Sequence, residues 1–140
     1  MEQQIPHPIV LEKVFFTKSI VIAIPTHEPS SETIPAVPEN SIDLLVTDEP
    51  GRYLVTMRSV LNQDGSDAAP YKIEMECLGM FFADQSLSPE EAPRAVLITA
   101  HGVLYGAIRE AVAWITGRQP HGQLMLGLSI LQPKSPDKPT

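Results

Sequence analysis

Residues 101–117, HGVLYGAIREAVAWITG, constrain the fold more than any other stretch of the chain. Leu104, Ile108, Ala111 and Ile115 recur at i, i+4, i+7 and i+11, which places them on one side of an α-helix. Tyr105 and Val112 flank that stripe on one side, and Val103, Ala107 and Trp114 on the other. Arg109 and Glu110 are the only formal charges inside it, so most of the circumference is apolar. A helix of this kind needs more cover than one small sheet provides. Gly102, Gly106, Ala107, Ala111 and Ala113 also remove side-chain bulk, so a second helix backbone can approach closely. Gly117 offers a left-handed C-terminal position, and Pro120 prevents the helix from resuming. The first expectation is therefore self-association through Val103, Leu104, Ala107, Ile108, Ala111 and Trp114.

The rest of the composition narrows the class. Hydrophobic residues make up 43% of the 140 and charged residues 19%, enough for a real core in one domain. A low charged fraction also fits a surface partly covered by another subunit. The net charge of −7 argues against nucleic acid and against anionic lipid as partners, and suits a partner with cationic segments. Cys77 is the single cysteine and has no disulfide partner within the chain. The start MEQQIPHP lacks the basic-then-apolar pattern of a signal peptide, and no apolar run approaches the ~20 residues of a membrane span. A cytoplasmic location is expected.

Residues 9–24, rich in β-branched and aromatic side chains, read as one long strand or two joined at Thr17-Lys18-Ser19. Val10, Ile20, Ile22 and Ile24 can face one way, and Leu11 and Val21 the other. Pro25, Pro29, Pro35 and Pro38 make residues 25–40 an irregular crossover, with Ile34 and Val37 its only sizeable apolar side chains. Three strands follow at 41–47, 52–61 and 71–82, separated by the turn Asp48-Glu49-Pro50-Gly51 and a loop containing Asp64-Gly65. Ser88-Pro89-Glu90-Glu91 carries a serine cap, a first-turn proline and a glutamate at the third position, predicting a short helix to about Thr99 ahead of the long one. Residues 123–131 read as an extended apolar segment, and 133–140 as a disordered tail. The fold class is α+β: a four-stranded antiparallel sheet of one long strand, a crossover and a meander, packed with two C-terminal helices. It forms one domain over residues 1–132.

No constellation for catalysis stands out. His7 and His27 sit beside prolines, while His101 and His121 bracket the long helix; none has a partner at metal-ligand spacing, so surface or capping roles are expected, with no metal and no cofactor. Cys77 lies mid-strand, where a small buried hydrophobe is usual. Arg109 and Glu110 suggest an ion pair or a rim contact. Ala100-His101-Gly102-Val103 is similar to the opening of the central helix in hot-dog-fold thioesterases, but that fold needs several strands after the helix, and too little chain remains here. The protein is read as a non-enzyme.

Three local stretches point to a family. Phe15-Phe16-Thr17-Lys18 leads through the first strand to Pro25, and Leu78-Gly79-Met80-Phe81 closes the last one. Val103-Leu104-Tyr105-Gly106-Ala107-Ile108-Arg109-Glu110 runs on to Gly117-Arg118 and Gln123-Leu124-Met125-Leu126. Together with the element order, over roughly residues 9–128, they resemble the SecB protein-export chaperones and their relatives. That resemblance implies a dimer of dimers with helices between two sheets, binding unfolded preproteins or an antitoxin. The family's acidic docking positions for the export motor ATPase correspond to Ser19 and Ala23, and only Glu74 matches, with Lys72 in place of a leucine. Pro133, Pro136 and Pro139 stand where the family has a final helix over its client groove.

The functional expectation is a SecB-like holdase, with a structural or ligand-binding oligomer of the same fold as the alternative. Client contacts are expected at Ile34, Val37, Met80, Phe82, Leu124, Leu126 and Leu128, which are apolar residues in loops or at element ends. Methionine adds adaptability to such a surface.

Overall fold

The computed structural model describes residues 3–28, 36–65 and 69–131. Four strands, β1 (Ile9–Ala23), β2 (Glu39–Val46), β3 (Arg52–Leu61) and β4 (Tyr71–Ala83), precede one helix, α1 (Ala92–Thr116). All pairs are antiparallel and the sheet order is β1-β4-β3-β2, so the long first strand crosses over to the far edge beside β4. β1 is continuous, with register shifts between Leu11 and Lys13 and between Phe16 and Lys18. Two shifts restore the alternation, so Val10, Ile20 and Ile22 pair with Phe82, Glu74 and Lys72 on one face, and Leu11 and Val21 with Phe81 and Ile73 on the other.

Alternation on β4 decides which face carries the core. Tyr71, Ile73, Met75, Cys77, Phe81 and Ala83 are buried under α1, and the intervening even-numbered residues point away from it. From the helix, Val96, Ala100, Leu104, Ile108 and Val112 meet them at a spacing of four residues, all without solvent exposure. Gly79 lets the helix come this near: a Cβ there would lie 2.6 Å from the Phe81 ring and 3.0 Å from Leu104 Cδ2. Fully burying a Leu or Ile side chain stabilises by about 1.5–3 kcal/mol, so Leu104 and Ile108 anchor this helix to its own sheet.

The C-terminal half departs from expectation in three respects. Among the described residues there is a single helix, because 96–101 contains no proline or glycine to interrupt it; Ser88 Oγ accepts a bond from the Glu91 amide at 3.2 Å, but the helix proper starts at Ala92. Gly117 is right-handed (φ −61°), and the left-handed turn falls on Gly122 (φ +80°) instead. By length and composition α1 would also suffice to cross a bilayer, contrary to the reading that no segment approaches this. Ten of its residues are nonetheless buried, as in the central helix of a packed domain.

Candidate polypeptide-binding surface

The polar residues that interrupt α1 line up. His101, Tyr105 and Arg109 lie at i, i+4 and i+8, on a flank of the helix next to the core stripe. All three engage the segment that follows the helix. The Tyr105 hydroxyl donates to the Gly127 carbonyl, Arg109 Nε donates to the Leu126 carbonyl at 2.8 Å, and His101 Nε2 lies 3.2 Å from Ser129 Oγ. Two turns later Thr116 Oγ1 accepts the Leu124 amide at 2.8 Å, having given its own proton to the Val112 carbonyl. On its other side the segment meets the end of the crossover, where the Gly127 amide donates to the Ala36 carbonyl at 2.9 Å. Residues 123–131 thus form a strap between α1 and the approach to β2.

Burial tunes these groups. His101 is 8% exposed and stacks on Tyr105, so it is a buried mid-helix residue, not the surface or capping one expected. Loss of solvation holds its pKa below the ordinary histidine value. Burial likewise raises the Tyr105 phenol, partly offset by Asn40 and Arg109. Arg109 donates to a backbone carbonyl within its own chain, while Glu110, the other residue expected in an ion pair or rim contact, is exposed. The ladder was open to discovery from sequence: three hydrogen-bonding side chains at helical spacing in an otherwise apolar stretch.

The expected client residues do not converge. Leu126 is buried in the core (1% exposed), Leu124 is half-buried, and Leu128 is 82% exposed, all on the strap. Val37 lies beside the strap and is exposed, while Ile34 lies outside the described residues. Met80 and Phe82 lie on a separate surface: as even-numbered β4 residues they face away from the helix, opposite Leu54 and Arg52. There they join Val10 and Leu45 in an apolar band across the outer face of the sheet.

The expected interface residues divide similarly. Leu104 and Ile108 are covered by their own sheet, so their side chains cannot also meet a second subunit. Val103, Ala107 and Ala111 are half-buried against the same core, and Trp114 is exposed beneath the Arg118 guanidinium, 3.8 Å from its ring centre. The outward line of α1 is Ile98, Gly102, Gly106, Glu110 and Trp114. A hollow of about 410 Å³ separates it from the strap at Gln123 and Met125.

Ser19 and Ala23 pair with Met75 and Tyr71, on the helix side of the sheet, and so share no face with Glu74 and Lys72. No group of three or more histidine, cysteine or acidic side chains capable of holding a metal occurs among the described residues. Burial pushes the Cys77 thiol up to about 11, away from thiolate chemistry.

This sheet order with one long helix across its inner face is the fold of SecB-like chaperones. A SecB-like chaperone of Mycobacterium tuberculosis, Rv1957, in complex with a ChAD peptide from the Rv1956 HigA1 antitoxin, superposes with a TM-score of 0.60. The match is 19% identical and covers 87% of this chain and 91% of that one. A protein of unknown function from Streptococcus agalactiae matches with a TM-score of 0.52 and 13% identity, over 86% of this chain and 97% of that one. No protein-family model matches the sequence, and no curated protein matches it.

Proposed function

We propose that this chain is a non-enzymatic, SecB-like holdase that binds non-native polypeptide, in antitoxin protection or protein export, as a cytoplasmic homotetramer. The observation that carries the reading is the strap: an extended segment held through its backbone carbonyls by Tyr105 and Arg109, a mode of contact that any extended chain can satisfy. The antitoxin peptide bound by the Mycobacterium tuberculosis neighbour supports it at the level of fold. Client affinity would come from apolar side chains leaving water, worth about 25 cal/mol per Å² before ordering costs. The alternative, an oligomer of the same fold without client binding, is favoured by the occupied state of that surface.

Suppression of aggregation separates the two. At one tetramer per unfolded model protein, the holdase keeps light scattering low; no suppression across temperature and salt favours the alternative. Replacing Ile34 and Val37 together by serine is expected to weaken suppression severalfold. Val37 is 65% exposed, so the melting temperature should stay within about 2 °C, in line with surface substitutions of under 0.5 kcal/mol. Unfolding of that variant would assign these side chains to the core.

A further inference from the structure

His101, Tyr105 and Arg109 engage Ser129, Gly127 and Leu126, so the helix and the strap run in opposite directions. Four residues of helix rise about 6 Å, close to the ~6.6 Å of two extended residues, so successive rungs of the ladder meet the strap one or two residues apart, at 129, 127 and 126. Two of these contacts are to backbone carbonyls and ignore side-chain identity.

We infer that the His101–Tyr105–Arg109 ladder and the core pocket filled by Leu126 form a binding site for extended, leucine-bearing polypeptide, occupied in the resting protein by its own strap. The inference rests on the reading of this chain as a polypeptide binder and adds a site, a ligand class and a cis competitor.

The strap's own features separate an occupant from an ordinary part of the core. Leu126 is its one buried anchor, while Met125, Leu128 and Ile130 are more than half exposed. It joins no strand, and its link to the crossover is the Gly127 amide on the Ala36 carbonyl. The site is not fitted to glycine either: a Cβ at 127 would lie 3.6 Å from the Ala36 carbonyl oxygen and 3.7 Å from Val37 Cγ2, ordinary contact distances. An incoming chain therefore gains the same carbonyl contacts, places its own leucine in the pocket and continues past Val37. Because the strap is tethered, its effective concentration is high and it holds the apparent affinity for clients down.

The test uses the full-length protein and a fluorescent synthetic peptide with the sequence of residues 123–129, followed by anisotropy. Leu126→Ala weakens the strap and leaves the ladder intact, and is expected to raise peptide affinity at least tenfold. Ser129→Ala, a smaller lesion that keeps the anchor, is expected to raise it about twofold. Adding Tyr105→Phe to Leu126→Ala should reverse the gain, because the incoming chain then loses its carbonyl donor. In the unmodified protein, saturating peptide should speed hydrogen exchange at the Leu124 and Gly127 amides. Folded variants that bind the peptide no more tightly, or peptide binding that leaves those two amides unchanged, would overturn the inference. If Leu126→Ala fails to fold, Ser129→Ala and the exchange measurement decide. Peptide uptake without aggregation suppression would sink the holdase reading alone, and suppression without peptide uptake would sink the ladder alone.

Discussion

An imidazole in the third turn of a helix, 8% exposed, is stable there only while neutral. Burial depresses the His101 pKa below the ordinary 6.5, so the unfolded chain binds the proton more readily than the folded one. Stability from this residue is therefore complete above pH 6.5 and is lost as pH falls below it, with a limiting slope of about 1.4 kcal/mol per pH unit for one proton. Thermal melts from pH 8 down to pH 5 should show a steeper decline in the unmodified protein than in His101→Gln, and superimposable profiles would mean that His101 is not buried as a neutral group. Sequence reading misplaced this residue because it took position 101 for the start of a helix. With the start at Ala92, the same residue lies in the helix interior and turns toward the strap. Leu104 and Ile108, by contrast, were legible as core-type side chains; what spacing alone could not give was whose core they fill.

At the scale of elements, α1 has one face on its own sheet, one on the strap and one left over. Ile98, Gly102, Gly106 and Trp114 line the free face, and no atom lies within 4 Å of a Cβ built on Gly106. Inside a single chain, Gly106→Leu should thus be harmless or better, since replacing a mid-helix glycine by a good helix former gains roughly 0.5–1 kcal/mol. In a tetramer whose helices meet at the small residues, the same side chain occupies the space of the partner backbone. The expected outcome is unchanged or higher helicity by circular dichroism, together with a fall in mass by light scattering at micromolar concentration. An unaltered oligomer would move the interface elsewhere, and the outer band at Val10, Phe82 and Leu45 is then the surface to test. The period of 3.6 residues revealed this helix, but its N-terminus was misjudged. Ser88-Pro89-Glu90-Glu91 does form a capped turn, yet a local cap signature does not tell one turn from one helix.

At the scale of the whole molecule, a net charge of −7 is distributed in a way that bears on the choice of partner. Docking of an export motor through an acidic sheet face needs unpaired carboxylates grouped on one surface. On the outer face here, Glu74 is bound by Arg58 at 3.1 Å and by Lys18 at 3.4 Å. The hydrogen bond from Arg58, aided by Lys18, holds its pKa below the usual carboxylate range. Thr17 donates to Glu76 in the same patch, and Lys72 adds a further cation. At the other end Arg52 bridges Glu12 and Glu49. Glu74 and Glu12 on the sheet are thus each compensated by cations, which weakens the negative field that a cationic partner would need. The three-strand meander was legible from the turn signals and from the alternation of residues 71–82, whereas the pairing of the long first strand with β4 was not. The two register shifts in β1 were not legible either, and they change the face only of the residues between them, leaving Ser19 and Ala23 on the helix side with Leu11 and Val21. From this arrangement the protein should form no complex with an export motor ATPase at micromolar concentration and 0.15 M salt, measured by sedimentation velocity. Replacing Lys18, Arg58 and Lys72 by glutamine unpairs Glu74 and should, if charge is what is missing, create weak and salt-sensitive binding. A stable complex with the unmodified protein would show that the sheet face docks its partner by shape and apolar contact, not by charge.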